Sequence, residues 1–408
     1  MLAYLAAVTQ RSTMGAVSIE ATHRFSTTAE QLASLAVWQI AVYAAMQIPV
    51  GILLDRYGAK KLLVLGAVVM ATGQVFVAIS TSLGVAVFGR ILVGLGDAFT
   101  FISLIRLING WYTGKKASLL QQWLGNAGQL GQVVSAIPFA ALAGTSGWTA
   151  AFLTFASASG AVAVLAVFFI QDDRDPTQHH YSKRTIREGF IQVRQSMKRP
   201  AVRLAFWTHF STQSVGTVFV LLWGLPFLVS GQGVDKGIAH VMLSSFVFIG
   251  IAAGLFYGWV CSARPDLRTP VVITMATAVC LAWFTVILAP GPAPPWLLWL
   301  LIGTMAVAGP ASMIAFDYSR EHVAKGELGT ANGFVNIGGF LATFIMMFMI
   351  GILLDLHYSL TSQSSALYGL DGFRFAMPVQ LLVIGVGIFF NLREAKLLRL
   401  EAKTASLG

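Results

Sequence analysis

Charge is what this sequence has least of. Asp, Glu, Lys and Arg make up 11% of its 408 residues, where a soluble chain carries about 25%. So few charges cannot clothe a chain of this size in water, which excludes a soluble globular protein. Cysteine is nearly absent. Cys261 and Cys280 lie in or beside apolar runs, without metal-ligand spacing. They read as reduced packing residues, not as a disulfide framework or a metal site. Adjacent His179 and His180 have no third ligand beside them, so no metal is assigned. There is no Walker-type phosphate loop, no Ser/His/Asp set and no cleavable signal pattern. ATP is therefore not expected as the energy source, and neither an enzyme nor a cofactor is expected. The first apolar run opens at residue 2, which leaves open a start upstream of Met1.

What the sequence has is apolar length. Hydrophobic residues are 56% of the chain, with 28 Phe, 10 Trp and 40 Gly. Runs of about 20 apolar residues cross a bilayer as helices, because lipid offers the backbone no outside partner. The alternating ten-residue segments of a β-barrel do not occur. The runs predict twelve spans, at 2–22, 30–54, 61–81, 84–108, 116–143, 148–170, 204–229, 237–261, 269–290, 295–317, 327–354 and 374–392. The polar segment 171–203 divides them six and six. The expected domains are 1–170, a linker 171–203, and 204–408. The expectation is an all-α integral membrane protein of twelve transmembrane helices in two six-helix bundles.

The net charge of +10 does not point to nucleic acid. Its basic residues sit in short runs between spans. Twenty-two Lys and Arg fall on the side of residues 56–61, 171–203 and the C-terminal tail, and three (Arg24, Lys236, Arg374) on the other. That bias predicts a plasma (inner) membrane protein with both termini cytoplasmic. In segment 171–203, Ile186, Phe190, Val193 and Met197 recur at helical spacing among Arg and Lys. They predict an amphipathic helix on the inner leaflet.

The stretch GILLD occurs twice, at 51–55 and 351–355. The first copy runs on into RYGAKK at the cytoplasmic end of the second span. The second ends the eleventh span at the outer face, where Asp355 marks a solvated helix end, and its match is coincidence. GILLDRYGAK resembles the signature loop of the major facilitator superfamily of secondary transporters, through Gly51, Leu53, Asp55, Arg56, Gly58 and Lys60. GRILVGLGDA in the fourth span is similar to that family's R-x-x-x-G-x-G pattern, through Arg90, Gly94 and Gly96. YGWVCSARPDLR after the eighth span keeps Gly258, Arg264 and Arg268 of a decayed second loop. The resemblance implies two six-helix bundles around a cavity with alternating access, lined by spans 1, 4, 7 and 10. The fifth span lacks the Gly-Pro pair of proton-coupled drug exporters. Its GNAG, with NGFVNIGGF at 332–340, looks like the glycine signatures of nitrate/nitrite porters, but spans 2 and 8 lack that subfamily's Arg residues.

Polar residues inside spans are costly and mark function or pairing. Arg11, midway along span 1, is expected to contact an anionic solute or to pair with a carboxylate. Asp97 lies seven residues after Arg90, on the same helical face. It is expected to carry the coupling proton, or to form a static pair with Arg11 or Arg90. Glu20 reads as an interfacial carboxylate. Asn126 and Gln129 on span 5, and His209 and Gln213 in the polar THFSTQS of span 7, are candidate solute contacts. For His209 the alternative is a satisfied core histidine, and intramembrane amides commonly hold helices together. Gly51, Asp55, Arg56, Gly58, Lys60, Arg90 and Arg106 are expected to form a conformational latch, with Arg106 close to Asp55. Asp317, Arg320 and Glu321 look like its counterpart in the second half. The alternative for all of these is a solvated helix end with ordinary surface ion pairs, the stronger reading for Glu321 and the weaker one for Asp55. The Met-rich FIMMFMI at 344–350 reads as lipid-facing or packing surface.

These readings predict a monomeric secondary transporter for a small polar, anionic solute, embedded in the lipid bilayer and coupled to protons. Efflux of amphipathic compounds and a non-transporting membrane sensor are the alternatives.

Overall fold

The computed structural model describes residues 1–17, 21, 24–25, 29–172, 186–361 and 368–405. Glu20, His179 and His180 lie outside them. The apolar runs are helices, as the absence of external hydrogen-bond partners in lipid requires. In chain order come α1 (Leu2–Ala16), α2 (Ala29–Tyr57), α3 (Ala59–Ile79), α4 (Leu83–Trp111), α5 (Gly114–Val134) and α6 (Ala140–Phe169). A short α7 (Ile186–Ser196) precedes α8 (Pro200–Val218), α9 (Lys236–Ala263) and α10 (Arg268–Ile287). Then follow α11 (Pro295–Ala308), α12 (Ile314–His322), α13 (Leu328–Leu360), α14 (Leu370–Ala376) and α15 (Pro378–Ala405).

Ten stretches among the described residues are long and apolar enough to cross a membrane. One of them, Gly114–Phe169, has 56 residues, about 84 Å at 1.5 Å per residue. That is more than twice a bilayer core. It bends at Gly147, whose φ of 81° only glycine adopts without strain, so it holds both predicted spans 5 and 6. With α1, the helices accommodate the twelve predicted crossings of an integral multi-pass membrane protein.

Several predicted boundaries move. The tenth span does not stop at 317. α11 passes through a tight 3₁₀ turn at Gly309–Met313 into α12, which carries Asp317 and Arg320. The last span is the pair α14 and α15, parted before Pro378. Asp355 is exposed within α13 and does not end it. The amphipathic helix exists as α7. Val193 lies on its buried face with Gly189, Gln192 and Ser196, while Met197 lies beyond the helix and is exposed; the side chains of Ile186 and Phe190 lie outside the description. In the Met-rich stretch Phe344 and Phe348 are exposed and Met346 is buried.

Contacts divide the chain into two units, Met1–Ser196 with Val323–Phe334, and Met197–His322 with Val335–Gly408. The first twelve residues of the eleventh-span region thus belong to the first unit. In that unit, α3 and α4 meet through glycines. A Cβ on Gly66 would lie 2.7 Å from the Gly96 carbonyl, and one on Gly73 2.7 Å from the Gly89 carbonyl. Bare backbone on both helices lets them touch along this line. At one end, Phe139, Trp148 and Phe152 stack on Leu35 and Val77. The second unit centres on Phe219, Phe227, Trp283 and Phe373, with Phe227 5.2 Å from the Trp283 ring. Thr208 of α8 is 2.9 Å from the Asn391 amide oxygen of α15, and Arg203 pairs with Glu394 at 2.7 Å.

Candidate functional site

The glycine line of α4 sets up the charged residues beside it. Gly89 and Gly96 face α3, so Arg90 and Asp97, each one residue on and about 100° around the helix, face α1. Arg90 is fully buried. Its guanidinium donates to the carbonyls of Gln10 (3.1 Å) and Arg11 (2.8 Å), to Thr13 Oγ1 (3.1 Å) and to Gln39 Oε1. It therefore grips α1 by its backbone at residues 10 and 11. Gln10 in turn donates to the Phe155 carbonyl at 3.0 Å and to Ser159.

Arg11, held by that grip, points its own guanidinium at Asp97. Nε lies 2.6 Å from Oδ2 and Nη2 3.0 Å from Oδ1. This is a two-pronged pair, the strongest arrangement a guanidinium and a carboxylate can make. The carboxylate side chain is wholly buried, but the arginine side chain keeps 20% of its surface exposed. The guanidinium also lies over the ring of Tyr43 on α2, 4.6 Å from its centroid. Tyr43 was not a candidate from sequence. The signal was there: Gln39, Tyr43 and Gln47 are spaced four apart, one polar stripe along an apolar helix. Tyr4, whose ring is tilted by 42° against that of Phe101 with centroids 5.1 Å apart, also interacts with Arg11.

The two solute candidates on α5 divide. Asn126 is 2% exposed and its Nδ2 has no partner among the described residues; Gln129 is half-buried. In the second unit, His209 and Gln213 of α8 face a glycine notch in α13. His209 Nδ1 accepts from the Gly339 amide at 3.1 Å, and Gln213 donates to Thr217 at 3.1 Å. His209 is 3% exposed, with its ring against Phe316. Both side chains are engaged in helix packing, the alternative reading for such residues.

The signature loop is built around Asp55. Its two carboxylate oxygens accept from the amides of Gly329 and Thr330, each at 2.8 Å. These amides open α13, where the helix leaves its first N–H groups without internal partners. The carboxylate caps them and meets the positive end of the helix dipole. Gly51, one turn earlier on α2, is needed for the approach, since a Cβ there would sit 2.6 Å from the Gly329 carbonyl. Arg106 lies close enough to Asp55 to act on its charge, but its hydrogen bond is not to that carboxylate. It donates instead to the Lys325 carbonyl, so the two residues hold the same segment from two sides. Gly58 turns the chain at φ 84°. The Lys60 amide donates to Asp172 at 2.7 Å, and Arg56 is exposed beside Tyr57.

Asp317 and Arg320 lie in a network within the second unit. Arg320 meets Asp317 at 2.7 Å, and Arg268 meets Asp317 at 3.6 Å and Glu321 at 2.7 Å. Arg268, which heads α10, is 4% exposed. The sequence reading left it out of the latch set; Glu321 is the network's exposed member. Among the described residues no group of His, Cys, Asp or Glu is placed to hold a metal.

A family model described as Major Facilitator Superfamily matches residues 1–347. The probable galactarate/D-glucarate transporter GudP of Escherichia coli is 22% identical over 353 residues, 76% of this chain and 76% of that protein. The probable sulfoacetate transporter SauU of Cupriavidus necator is 26% identical over 133 residues, 33% of this chain and only 31% of that protein. Drug efflux proteins also match over about half of this chain or less. Among solved structures, the proton:xylose symporter XylE superposes with a TM-score of 0.69 at 14% identity, covering 96% of this chain and 94% of that one. At that identity the likeness shows the fold alone.

Proposed function

The chain belongs to the major facilitator superfamily of transporters, and we propose that it is a secondary active transporter of a small organic anion, coupled to protons. The observation that carries the reading is the Arg11–Asp97 pair, with its cation partly open and its acid sealed. An entering carboxylate or sulfonate reaches the exposed side of Arg11 and competes with Asp97 for the guanidinium fork. Once displaced, Asp97 is a buried carboxylate without its cation, and it takes up a proton. Anion and proton thus load together. Release of the anion returns Arg11 to Asp97, which gives its proton up. Arg90 keeps α1 in register with α4 throughout, and Tyr43 holds the guanidinium in place from behind.

Asp55 and Arg106 supply the switch. They hold the 325–330 segment in one state and let it go in the other, as alternating access requires. The Arg268–Asp317–Arg320–Glu321 network is the matching inner element of the second unit. The solute class is supported by the relatives whose names specify sulfoacetate and galactarate or glucarate. Orientation follows the distribution of Lys and Arg, with both termini on the cytoplasmic side of the inner membrane.

The test is uptake by purified protein in sealed proteoliposomes, acid outside, with sulfoacetate, galactarate, D-glucarate and an amphipathic cationic drug as solutes. The reading expects one of the anions to accumulate and to stop accumulating when a protonophore is added. Matches to drug efflux proteins favour a second reading, export of amphipathic compounds. It expects the drug alone to move, and Arg11→Gln to leave its transport intact.

A further inference from the structure

α7 presents two unlike faces. Gly189, Gln192, Val193 and Ser196, spaced three and four apart, are buried. The face turned the other way carries Arg187, Ile191 and Arg194, at the same helical spacing, all exposed; Ile191 keeps 51% of its surface. Glu188, the acid of the first turn, is already engaged. The buried face rests on α2. A Cβ on Gly189 would lie 2.5 Å from Ile52 Cγ2, so bare backbone at 189 lets the two helices touch there.

The place of contact fixes the depth of α7. The membrane-crossing part of α2 ends at Tyr57. Ile52 lies five residues before that end, about 7.5 Å at the helical rise. α7 therefore sits at the level of lipid headgroups. In the same unit, at the ends of α2 and α4 and the starts of α3 and α5, Arg56, Lys61, Lys115 and Lys116 are exposed, as are Tyr57, Trp111 and Tyr112. Aromatic and basic residues together are the composition of a membrane–water boundary. An isoleucine between two arginines, open to that boundary, fits one occupant: a phosphate-bearing headgroup above and its acyl chain below.

We infer that α7 binds anionic phospholipid through Arg187 and Arg194, with Ile191 inserted between them. Bound lipid seats α7 on Ile52, three residues from Asp55 on the same helix, and so steadies the end of α2 that caps α13. The inference rests on the chain's crossing a membrane and is independent of the solute.

The test uses the full chain with Cys261→Ser, Cys280→Ser and Ile191→Cys, a nitroxide on the new cysteine, and reconstitution into phosphatidylcholine with or without phosphatidylglycerol. Access of the nitroxide to oxygen and to an aqueous nickel chelate reports its depth. With phosphatidylglycerol present, the inserted-to-aqueous population should rise by about thirtyfold, at about 1 kcal/mol for each of two basic residues near an anionic surface, and the oxygen-to-nickel ratio should rise with it. Arg187→Gln with Arg194→Gln should abolish the rise, and the Lys pair at the same positions should keep it. Soluble glycerol phosphate should not reproduce it. The inference is overturned if the label stays in water in phosphatidylglycerol, or sits equally deep in phosphatidylcholine alone. It is equally overturned if the double Gln variant still responds, or if glycerol phosphate suffices.

Discussion

Arg11 decides whether the solute reading stands. Arg11→Gln removes the cation that faces both Asp97 and the exposed side. Stabilisation by organic anions in a thermal-shift assay should vanish, while the protein stays folded enough to give a transition. Arg11→Lys should recover little, because an ammonium cannot make the two-pronged contact with a carboxylate. Tyr43→Leu should weaken anion binding by about 1 kcal/mol, roughly the worth of a partly desolvated cation–π contact, and Tyr43→Phe by much less. Titration calorimetry measures both. At this scale the charged residues were legible in the sequence, since an Arg or Asp amid apolar residues has few reasons to be there. Their pairing was legible only as an alternative, Asp97 with Arg11 or Arg90, because spacing along one chain does not tell which helix faces which. Tyr43 was missed because a tyrosine in an apolar run looks like packing until an arginine is found over its ring.

The contacts between helices put the signature loop to a sharper test than its sequence match does. Asp55→Asn leaves an amide that can accept from one backbone N–H but not from both, and removes the charge at the helix end. The start of α13 should loosen by about 1–2 kcal/mol. Hydrogen exchange should be faster at Gly329 and Thr330 than in the unaltered protein, with the rest of α13 unchanged. Gly51→Ala should do the same by pushing the Gly329 carbonyl away; normal exchange in both variants would mean that the cap is not what holds this segment. In the second unit, Arg268→Met removes one of two cations from buried Asp317, which keeps Arg320, and the charged hydrogen bond to half-exposed Glu321. A loss of about 1–3 kcal/mol is expected, read as a lower unfolding midpoint in detergent. Existence and order of the helices followed from apolar length alone. Their joints followed only in part: the bend at Gly147 falls in the predicted break between spans 5 and 6, while the turn at Gly309–Met313 is set by packing that one chain's hydropathy does not encode. Asp55 and Arg106 do lie near each other, but their hydrogen bonds were not legible: both found backbone partners in a segment more than two hundred residues away.

For the whole molecule, the two contact units part at Ser196 and Met197, inside the polar segment between the sixth and seventh spans. The membership of residues 323–334 was not legible in the sequence, because it depends on Asp55, Arg106 and Gly51 meeting the start of α13. The central claim is that solute and Asp97 share one guanidinium, so that binding an anion loads a proton. Calorimetry of anion binding, repeated near neutral pH in buffers of different ionisation enthalpy, measures that proton directly. The solute is whichever of sulfoacetate, galactarate or D-glucarate the uptake assay selects. About one proton should be taken up per anion bound by the unaltered protein, with affinity rising as pH falls, and none by Asp97→Asn. Binding without proton uptake, or uptake that survives Asp97→Asn, would contradict the account.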